Sequence, residues 1–338
     1  MTRAFIVILS ASIFFLSCNN AGKAPNVSGI KIDITTTRFE KNLFDTTSNS
    51  LCNYLKQLQS SSPAFTTNFL HTILNTDPQW STDSTAAYVN SFVKAYRTVY
   101  DSSENIFNNF SKYENEIKNG LQFVKYYFPN YKLPKKIITY IGPVDGYGDI
   151  LSEEGLLVGL QQHLGKNYSL YQSEMVQQFY PEYISSRFEP DYIAINCMKN
   201  IADDIYPEKE FDKPLINQMI ENGKRLYLLQ QFLPGTDAYK LIGYRKEQFK
   251  DCNDHEAVIW NLFVKNSLLQ TTDKNIIKNY VDESPKTQEL GEGAPGNIGS
   301  FAGWQIVKKY MDKNPATSLQ ALLNLDAETI FQAAKYKP

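Results

Sequence analysis

The sequence predicts an α+β fold that is mostly helical with a small sheet. Apolar residues recur every three or four positions over much of the chain, which is the period of a helix with one buried face. Two short runs, residues 136–141 and 155–160, are instead β-branched or apolar and adjoin glycine or proline, as buried strands do. No internal repeat of about 20 to 50 residues is visible in the sequence, so a solenoid or propeller is not indicated.

The chain begins with the pattern of an export signal. Arg3 is followed by thirteen uncharged, mostly apolar residues (4–16), fewer than the roughly 20 that a membrane-spanning helix needs. Cys18 follows a small residue, which indicates a lipoprotein signal peptide over residues 1–17 and a cysteine that carries diacylglycerol, with palmitate among the acyl chains. An ordinary cleaved signal and an uncleaved anchor are the alternatives, because Leu16 stands where the strict lipoprotein pattern prefers a small residue.

Residues 18–30 are predicted to be a lipidated tether. The stretch from Asn19 to Ile30 contains Gly, Pro, Ser and Asn with little apolar content, and its twelve residues reach about 40 Å when extended. The alternation of Ile30–Ile34 predicts a first short strand. Residues 31–338 are then predicted to form a single domain.

Helices account for most of that predicted domain. Their apolar positions repeat at helical spacing in five segments, near residues 89–96, 117–128, 215–230, 259–269 and 319–331. Pro129 is expected to end the second of these helices. The two best strand predictions lie between the second and third.

Composition excludes one class of partner and constrains the cysteines. The formal charge of -2, from 34 basic and 36 acidic residues, gives no electrostatic footprint for nucleic acid. Once Cys18 carries lipid, Cys52, Cys197 and Cys252 remain, so at most one disulfide can form. Cys197 lies in an apolar stretch and is expected to be a buried, inert thiol.

No metal site and no cofactor is predicted. His255 and Glu256 begin like the zinc-peptidase helix His-Glu-x-x-His, but Ile259 occupies the position of the second ligand. Glu256 is instead expected in the first turn of a helix, where a carboxylate favours the positive end of the dipole. Gly291–Gly296 matches Gly-x-Gly-x-x-Gly, but no strand precedes it and Pro295 removes a backbone donor.

A loop with a possible cleft beneath it is the remaining functional hint. Residues 284–303 contain five glycines and are predicted to be a flexible loop that leads into a helix at Trp304. Arg187, Asn297 and Trp304 are the candidate residues of a cleft or partner-binding surface, although Arg187 is expected chiefly to stack or pair locally. No catalytic residue is predicted, and Glu153–Glu154 are expected to be solvated charges at a strand edge.

Several segments, taken in order, resemble the gliding-motility lipoprotein B (GldB) family. The resemblance runs from the signal to the last residue and implies a membrane lipoprotein associated with gliding motility and, through the coupled machinery, with protein secretion across the outer membrane. The segments are Ile32-Asp33-Ile34 with Arg38-Phe39-Glu40, Val124 to Pro129, Thr139 to Ile141, Leu156 to Lys166, Pro181 to Ile184 with Arg187-Phe188, Gly223 to Tyr227, Ile259 to Phe263, Pro295 to Gly299 with Gly303 to Val307, and Lys335 to Pro338.

The order of elements is also similar to that of zincin-type peptidases. This likeness would put the segment Tyr192–Asp204 where the metal-binding helix belongs, and that segment contains no histidine. The scaffold that the likeness implies is therefore a degenerate one without metal ligands.

The leading hypothesis is a non-enzymatic accessory or assembly factor of the cell envelope. Lipid on Cys18 would hold it in the membrane, and its partners would be envelope proteins of a motility or secretion machinery. Asn19 and Asn20 follow the anchor where an export signal would place a cluster of acidic residues. Because this cluster is missing from the sequence, a protein that faces the periplasm is favoured. The alternative is a lipid-anchored envelope hydrolase with a carboxylate site under the loop at 284–303.

Replacing Cys18 by Ala should release the protein from the membrane. The thioether-linked lipid is the predicted anchor, and several acyl chains together hold a protein far more firmly than one. Detergent-phase partitioning of cell extracts should show the cleaved variant in the aqueous phase, and Cys52→Ala should remain with the detergent. A signal-cleaved Cys18→Ala protein that still enters the detergent phase would show that covalent lipid is not the anchor.

Overall fold

A four-stranded mixed sheet organises the chain in the computed structural model, which describes residues 24–208 and 212–338. The strands are β1 (Thr35–Arg38), β2 (Lys136–Tyr140), β3 (Ile150–Ser152) and β4 (Gly155–Gly159). Their order across the sheet is β1-β2-β4-β3, with β1, β2 and β4 parallel and β3 antiparallel to β4 at one edge. Every residue of β4 is buried, as expected for a central strand covered on both faces.

Two of the three predicted strands are confirmed, and the first is wrong. Runs 136–141 and 155–160 form β2 and β4, but residues 30–34 are irregular and pairing starts at Thr35. The backbone N–H of Thr35 donates to the carbonyl of Lys135 at 3.1 Å, and Thr35 lies opposite Lys136. The start of β2 therefore decides where β1 begins. The alternation of apolar residues in 30–34 does not contain this information.

Helices form the larger part of the described chain, so the predicted mostly helical α+β class is confirmed. A π-helical turn covers Asn68–Ile73, and 3-10 turns cover Leu160–Gln162, Ser169–Gln172, Pro190–Tyr192 and Gln288–Leu290. The α-helices are α1 (Phe39–Asp45), α2 (Leu51–Ser61), α3 (Pro63–Thr67), α4 (Thr82–Ala95), α5 (Arg97–Phe107), α6 (Ser111–Tyr127), α7 (Glu174–Phe179), α8 (Glu182–Ser185), α9 (Ile193–Ile205), α10 (Leu215–Phe232), α11 (Ala238–Ile242), α12 (Lys246–Asp254), α13 (Glu256–Lys265), α14 (Lys274–Val281), α15 (Ile298–Lys313), α16 (Leu319–Asn324) and α17 (Ala327–Ala334).

The predicted helical segments correspond to α4, α6, α10, α13 and the pair α16 and α17. The last segment divides because Asp326 caps α17: its carboxylate accepts from the backbone N–H of Glu328. Pro129 lies just beyond α6, as predicted. No helix within the described residues is both long and apolar enough to cross a bilayer.

Helices α10 and α15 cross at glycines. A Cβ atom added to Gly223 would lie 2.4 Å from the carbonyl carbon of Gly303, and one added to Gly303 would lie 1.7 Å from the carbonyl oxygen of Met219. Both backbones occupy the space that a side chain would need, so the crossing requires glycine on each helix. Beside it, the Asn222 amide donates to the Ser300 hydroxyl at 2.9 Å.

A buried ion pair on α10 also connects this helix to Tyr206, after α9, and to Leu325, after α16. The Lys224 ammonium donates to Glu221 at 2.7 Å, to the carbonyl of Leu325 at 2.6 Å and to the Tyr206 hydroxyl at 3.2 Å. The Tyr206 hydroxyl in turn donates to the second oxygen of Glu221. All three ammonium donors therefore have acceptors, which is the condition under which a buried charge is tolerated.

Substituting Gly303 by Ala should destabilise the fold by about 2 kcal/mol or more, because overpacking against backbone typically costs 1–3 kcal/mol and outweighs the gain in helix propensity. Chemical denaturation measures the change. Gly235→Ala is the matched control, since a Cβ at Gly235 meets nothing within 4 Å. Equal stability of the two variants would contradict the close crossing.

Candidate functional site

An open groove of about 1370 Å³ runs along the β3 edge of the sheet. We call it the sheet-edge groove. One wall is formed by α3 and the π-helical turn, and the other by the end of α9 with Asn200 and Asp204. The segment 131–136 and the hairpin of β3 and β4 complete it. It exceeds the 300–1,000 Å³ typical of small-molecule sites.

Asp149 lies on this groove, but its carboxylate turns inward. The side chain is 1% exposed. Its Oδ2 accepts from His163 Nε2 at 2.8 Å and from the Asn196 amide at 2.9 Å, and its Oδ1 accepts from the backbone N–H of Gly159 at 3.1 Å. The carboxylate thus joins the turn before β3 to β4 and α9. Asn200, one turn after Asn196, donates to the Asp149 carbonyl at 2.9 Å.

Both ring nitrogens of His163 face acceptors. Nε2 meets the Asp149 carboxylate, and Nδ1 lies 3.1 Å from the carbonyl oxygen of Glu189. Only the protonated ring can donate to both. Burial alone would lower the pKa of His163, but the charge and hydrogen bond of Asp149 outweigh it, so the pKa is raised. The pair is a buried salt bridge when the ring is charged.

The turn that carries Asp149 is fixed by further buried polar groups. The Tyr140 hydroxyl donates to the carbonyls of Tyr147 and Gly148 at 2.9 and 2.5 Å. The Gln161 amide donates to the Tyr147 carbonyl at 2.8 Å and accepts from the Gly142 N–H at 3.0 Å. Sequence reasoning missed this network. Its available signal was the polar run of residues 161–163 directly after a predicted apolar strand.

A second cavity, of about 890 Å³, brings two predicted site residues together. It is lined by both Arg187 and Asn297. The Arg187 guanidinium donates to both oxygens of Glu283 at 2.8 and 2.6 Å, so its partner is a residue 96 positions away and not a neighbour in the sequence. Burial disfavours the charged form of each group, but the hydrogen bonds and the charge of the partner outweigh burial. The pKa of Arg187 is therefore raised and that of Glu283 is lowered. Gly243, at φ 79°, leaves room for the arginine, since a Cβ there would lie 2.5 Å from Nη1.

Asn297 is the N-cap residue of α15 and has the left-handed conformation, with φ 56°. Asparagine is one of the few side chains that tolerate this region. Its Oδ1 is buried and has no hydrogen-bond partner among the described residues. The neighbouring carbonyls of Gly296 and Asn297 accept from the Tyr244 hydroxyl at 2.9 and 3.1 Å. These contacts fix the point where the loop enters the helix.

Trp304 is not a wall of either cavity. It lies within α15, is fully buried, and packs beside Phe249, with the Lys308 ammonium 3.6 Å above its ring. Burial lowers the pKa of Lys308 to about 8. The structure therefore brings Arg187 and Asn297 together but not Trp304.

The predicted loop over residues 284–303 is wrong in its second part. Helix α15 begins at Ile298, because the apolar side chains of 298–302 face the core and the glycines there serve helix packing. The first part does border the second cavity, but the Thr287 hydroxyl donates to the Pro295 carbonyl at 2.7 Å and Gly296 lies against Ser284. Both ends of this loop are thus held.

The other residues singled out in the sequence do not line up as a catalytic or metal-binding group in the described part of the chain. Glu256 is the first residue of α13, as predicted, and accepts from the Tyr336 hydroxyl. Glu153 and Glu154 form the turn between β3 and β4, where Glu154 pairs with Lys136 at 2.9 Å. Cys18 lies outside the described residues.

Cys52, Cys197 and Cys252 are free, and Cys197 is fully buried, which raises its pKa. Within residues 24–208 and 212–338, no three His, Cys, Asp or Glu side chains are grouped so that they could hold a metal ion. The absence of metal from the protein itself stays a prediction.

A family model described as gliding motility protein GldB matches residues 20–338. The match covers nearly the whole chain and confirms the family resemblance found in the sequence. No curated protein and no solved structure matches. The likeness to zincin-type peptidases therefore remains a prediction from sequence alone.

Replacing His163 by Gln should cost about 3 kcal/mol at pH 5, the typical penalty for removing one partner of a buried ion pair. Because the folded-state pKa is raised above 6.5, the contribution is complete below pH 6.5 and is lost as the pH rises through the folded value. Denaturation at pH 5 and pH 9 should show a smaller difference from the native protein at the higher pH. The exposed His255→Gln is the control, and a difference that grows with pH would contradict the assignment.

Proposed function

Because the chain belongs to the gliding motility protein GldB family, we propose that it is a membrane-tethered lipoprotein of the cell envelope that acts as an accessory or assembly factor and not as an enzyme. It would hold protein partners of a motility or secretion machinery. Cys18 would supply the anchor, and the domain would face the periplasm.

The arrangement around Asp149 is the observation that carries this proposal. Asp149 and His163 resemble an acid–base pair in composition, yet both are 1% exposed and both ring nitrogens of His163 are engaged within the protein. A general base must reach the proton of a bound substrate, directly or through one water. This pair instead holds the wall of the groove in place.

Carboxyl groups with raised pKa values also lie away from the cavities. In the described part of the chain these are Glu40, Glu116, Asp203 and Asp282, and none of them lines either cavity. A hydrolase with a carboxylate site would be favoured by convergent acids with perturbed pKa values in a pocket. The cavities are better suited to binding than to chemistry.

The proposed tether would keep the domain close to the bilayer. Val27 is already buried against the domain. It lies nine positions after Cys18, and an extended chain of that length spans about 30 Å. The proposed partners are therefore membrane proteins, or envelope proteins that approach the membrane.

Crosslinking and affinity purification from membranes test the proposal. The native lipoprotein should enrich envelope proteins of a motility or secretion machinery, and blocking the sheet-edge groove with Thr67→Arg should reduce their recovery at least about ten-fold, since a charge forced against a partner costs more than 1.4 kcal/mol. Thr67 is exposed on the helical wall of the groove.

Thr98→Arg is the matched control, because Thr98 is exposed on α5 and lies outside both cavities. The same partners should be recovered with this variant as with the native protein. Membrane preparations that yield only abundant background proteins with the native chain would overturn the accessory role.

A further inference from the structure

The start of the described chain lies along α6. The Thr36 hydroxyl donates to the Glu114 carboxylate at 2.6 Å, and the Gln122 amide donates to the carbonyl oxygen of Ile30 at 2.8 Å. Glu114 is in the first turn of α6 and Gln122 lies about two turns later, so the chain from Ile30 to Thr36 runs antiparallel to this helix. The chain therefore enters the domain beside the C-terminal half of α6.

A turn of the backbone fixes the point from which the tether must start. The N–H of Ile30 donates to the carbonyl of Val27 at 2.9 Å, and Val27 is buried. Because Val27 lies nine positions after Cys18, lipid on Cys18 could be no more than about 30 Å from it. A compact chain of about 300 residues is about 50 Å across. The side of the domain opposite this point therefore cannot rest on the bilayer that holds the lipid.

An aromatic side chain is exposed beside the start of the tether. Tyr126 follows Gln122 by one helical turn, so both side chains lie on one face of α6. Tyr126 is 50% exposed, and its ring packs edge-on against Tyr127, with 5.0 Å between the ring centroids. Tyrosine is enriched where acyl chains meet water, because its ring is apolar and its hydroxyl is polar. This position therefore suits the headgroup region of a bilayer.

The charges of this face nearly cancel. Lys118 pairs with Glu114 on α6, and Lys31 and Asp33 are both exposed in the segment before β1. Among these residues and Lys125, one positive charge is in excess. Attraction to anionic lipid grows with the number of basic residues near the surface, so one charge contributes little. Contact of this face with a bilayer is therefore expected without anionic lipid.

We propose that the C-terminal half of α6 rests on the bilayer that holds the lipid of Cys18, with the Tyr126 ring in the headgroup region. This inference rests on the lipid anchor of the proposed function and names the face that the anchor turns to the membrane. The far end of the sheet then points away from the bilayer. Strands β1 and β2 are parallel and begin on the tether side, and the turn after β2 is held by the Tyr180 hydroxyl, which donates to the Gly146 carbonyl at 2.7 Å.

Tryptophan fluorescence in phosphatidylcholine vesicles tests this face. The mature lipoprotein is reconstituted with Tyr126→Trp or with the matched control Phe179→Trp, which precedes Tyr180 at the far end of the sheet and is 56% exposed. Both rings lie at the surface, so neither substitution disturbs the core. Bromine atoms on the acyl chains should reduce the added fluorescence of Tyr126→Trp about two-fold or more, because an interfacial indole lies beside them. The added fluorescence of Phe179→Trp should not change, and the native protein supplies the baseline.

Flotation of the same vesicles allows the proposals to fail separately. A lipoprotein that does not float with the vesicles would overturn the anchor and this face with it. A floating protein in which Tyr126→Trp is quenched no more than the native protein, or in which Phe179→Trp is quenched equally, would overturn the face alone. Quenching as expected, with no envelope partner in crosslinked membranes, would overturn the accessory role alone.

Discussion

The contact between α10 and α15 at Gly223 and Gly303 is the constraint on which the rest of this fold depends. Helices at this separation leave no room for a side chain, so the backbones themselves form the interface. Because α15 is fixed there, its first turn sets the position of Asn297 beside the second cavity. The same helix buries Trp304. One crossing therefore determines both the loop before α15 and the core after it.

Buried polar groups fix the groove in the way that Gly223 and Gly303 fix the crossing of α10 and α15. Asp149, His163 and Asn196 are mutually satisfied, and Tyr140 and Gln161 hold the turn before β3 by its carbonyls. Such networks are costly when a member is missing and rigid when complete. The rigidity explains how a strand of only three residues keeps a defined edge in an otherwise open groove.

The features that could be predicted from the sequence are those that a short stretch of residues specifies by itself. β2 and β4 were predictable because β-branched and apolar residues cluster between breakers. β3 was not, since three residues are too few to show a period. The glycines of 284–303 suggest a loop when counted along the chain, yet two of them belong to a helix crossing that only tertiary packing reveals. His163 was missed because its partner lies 14 positions away across a turn.

The parallel pairing of β1 with β2 has a consequence for how this chain acquires its structure. Thr35 finds its neighbour Lys136 only about a hundred residues later, and a chain is synthesised from its N-terminus. Residues 35–38 must therefore remain without their partner strand until β2 has been synthesised. Closing so long a loop is slow, so β1 is expected to join the sheet late in folding.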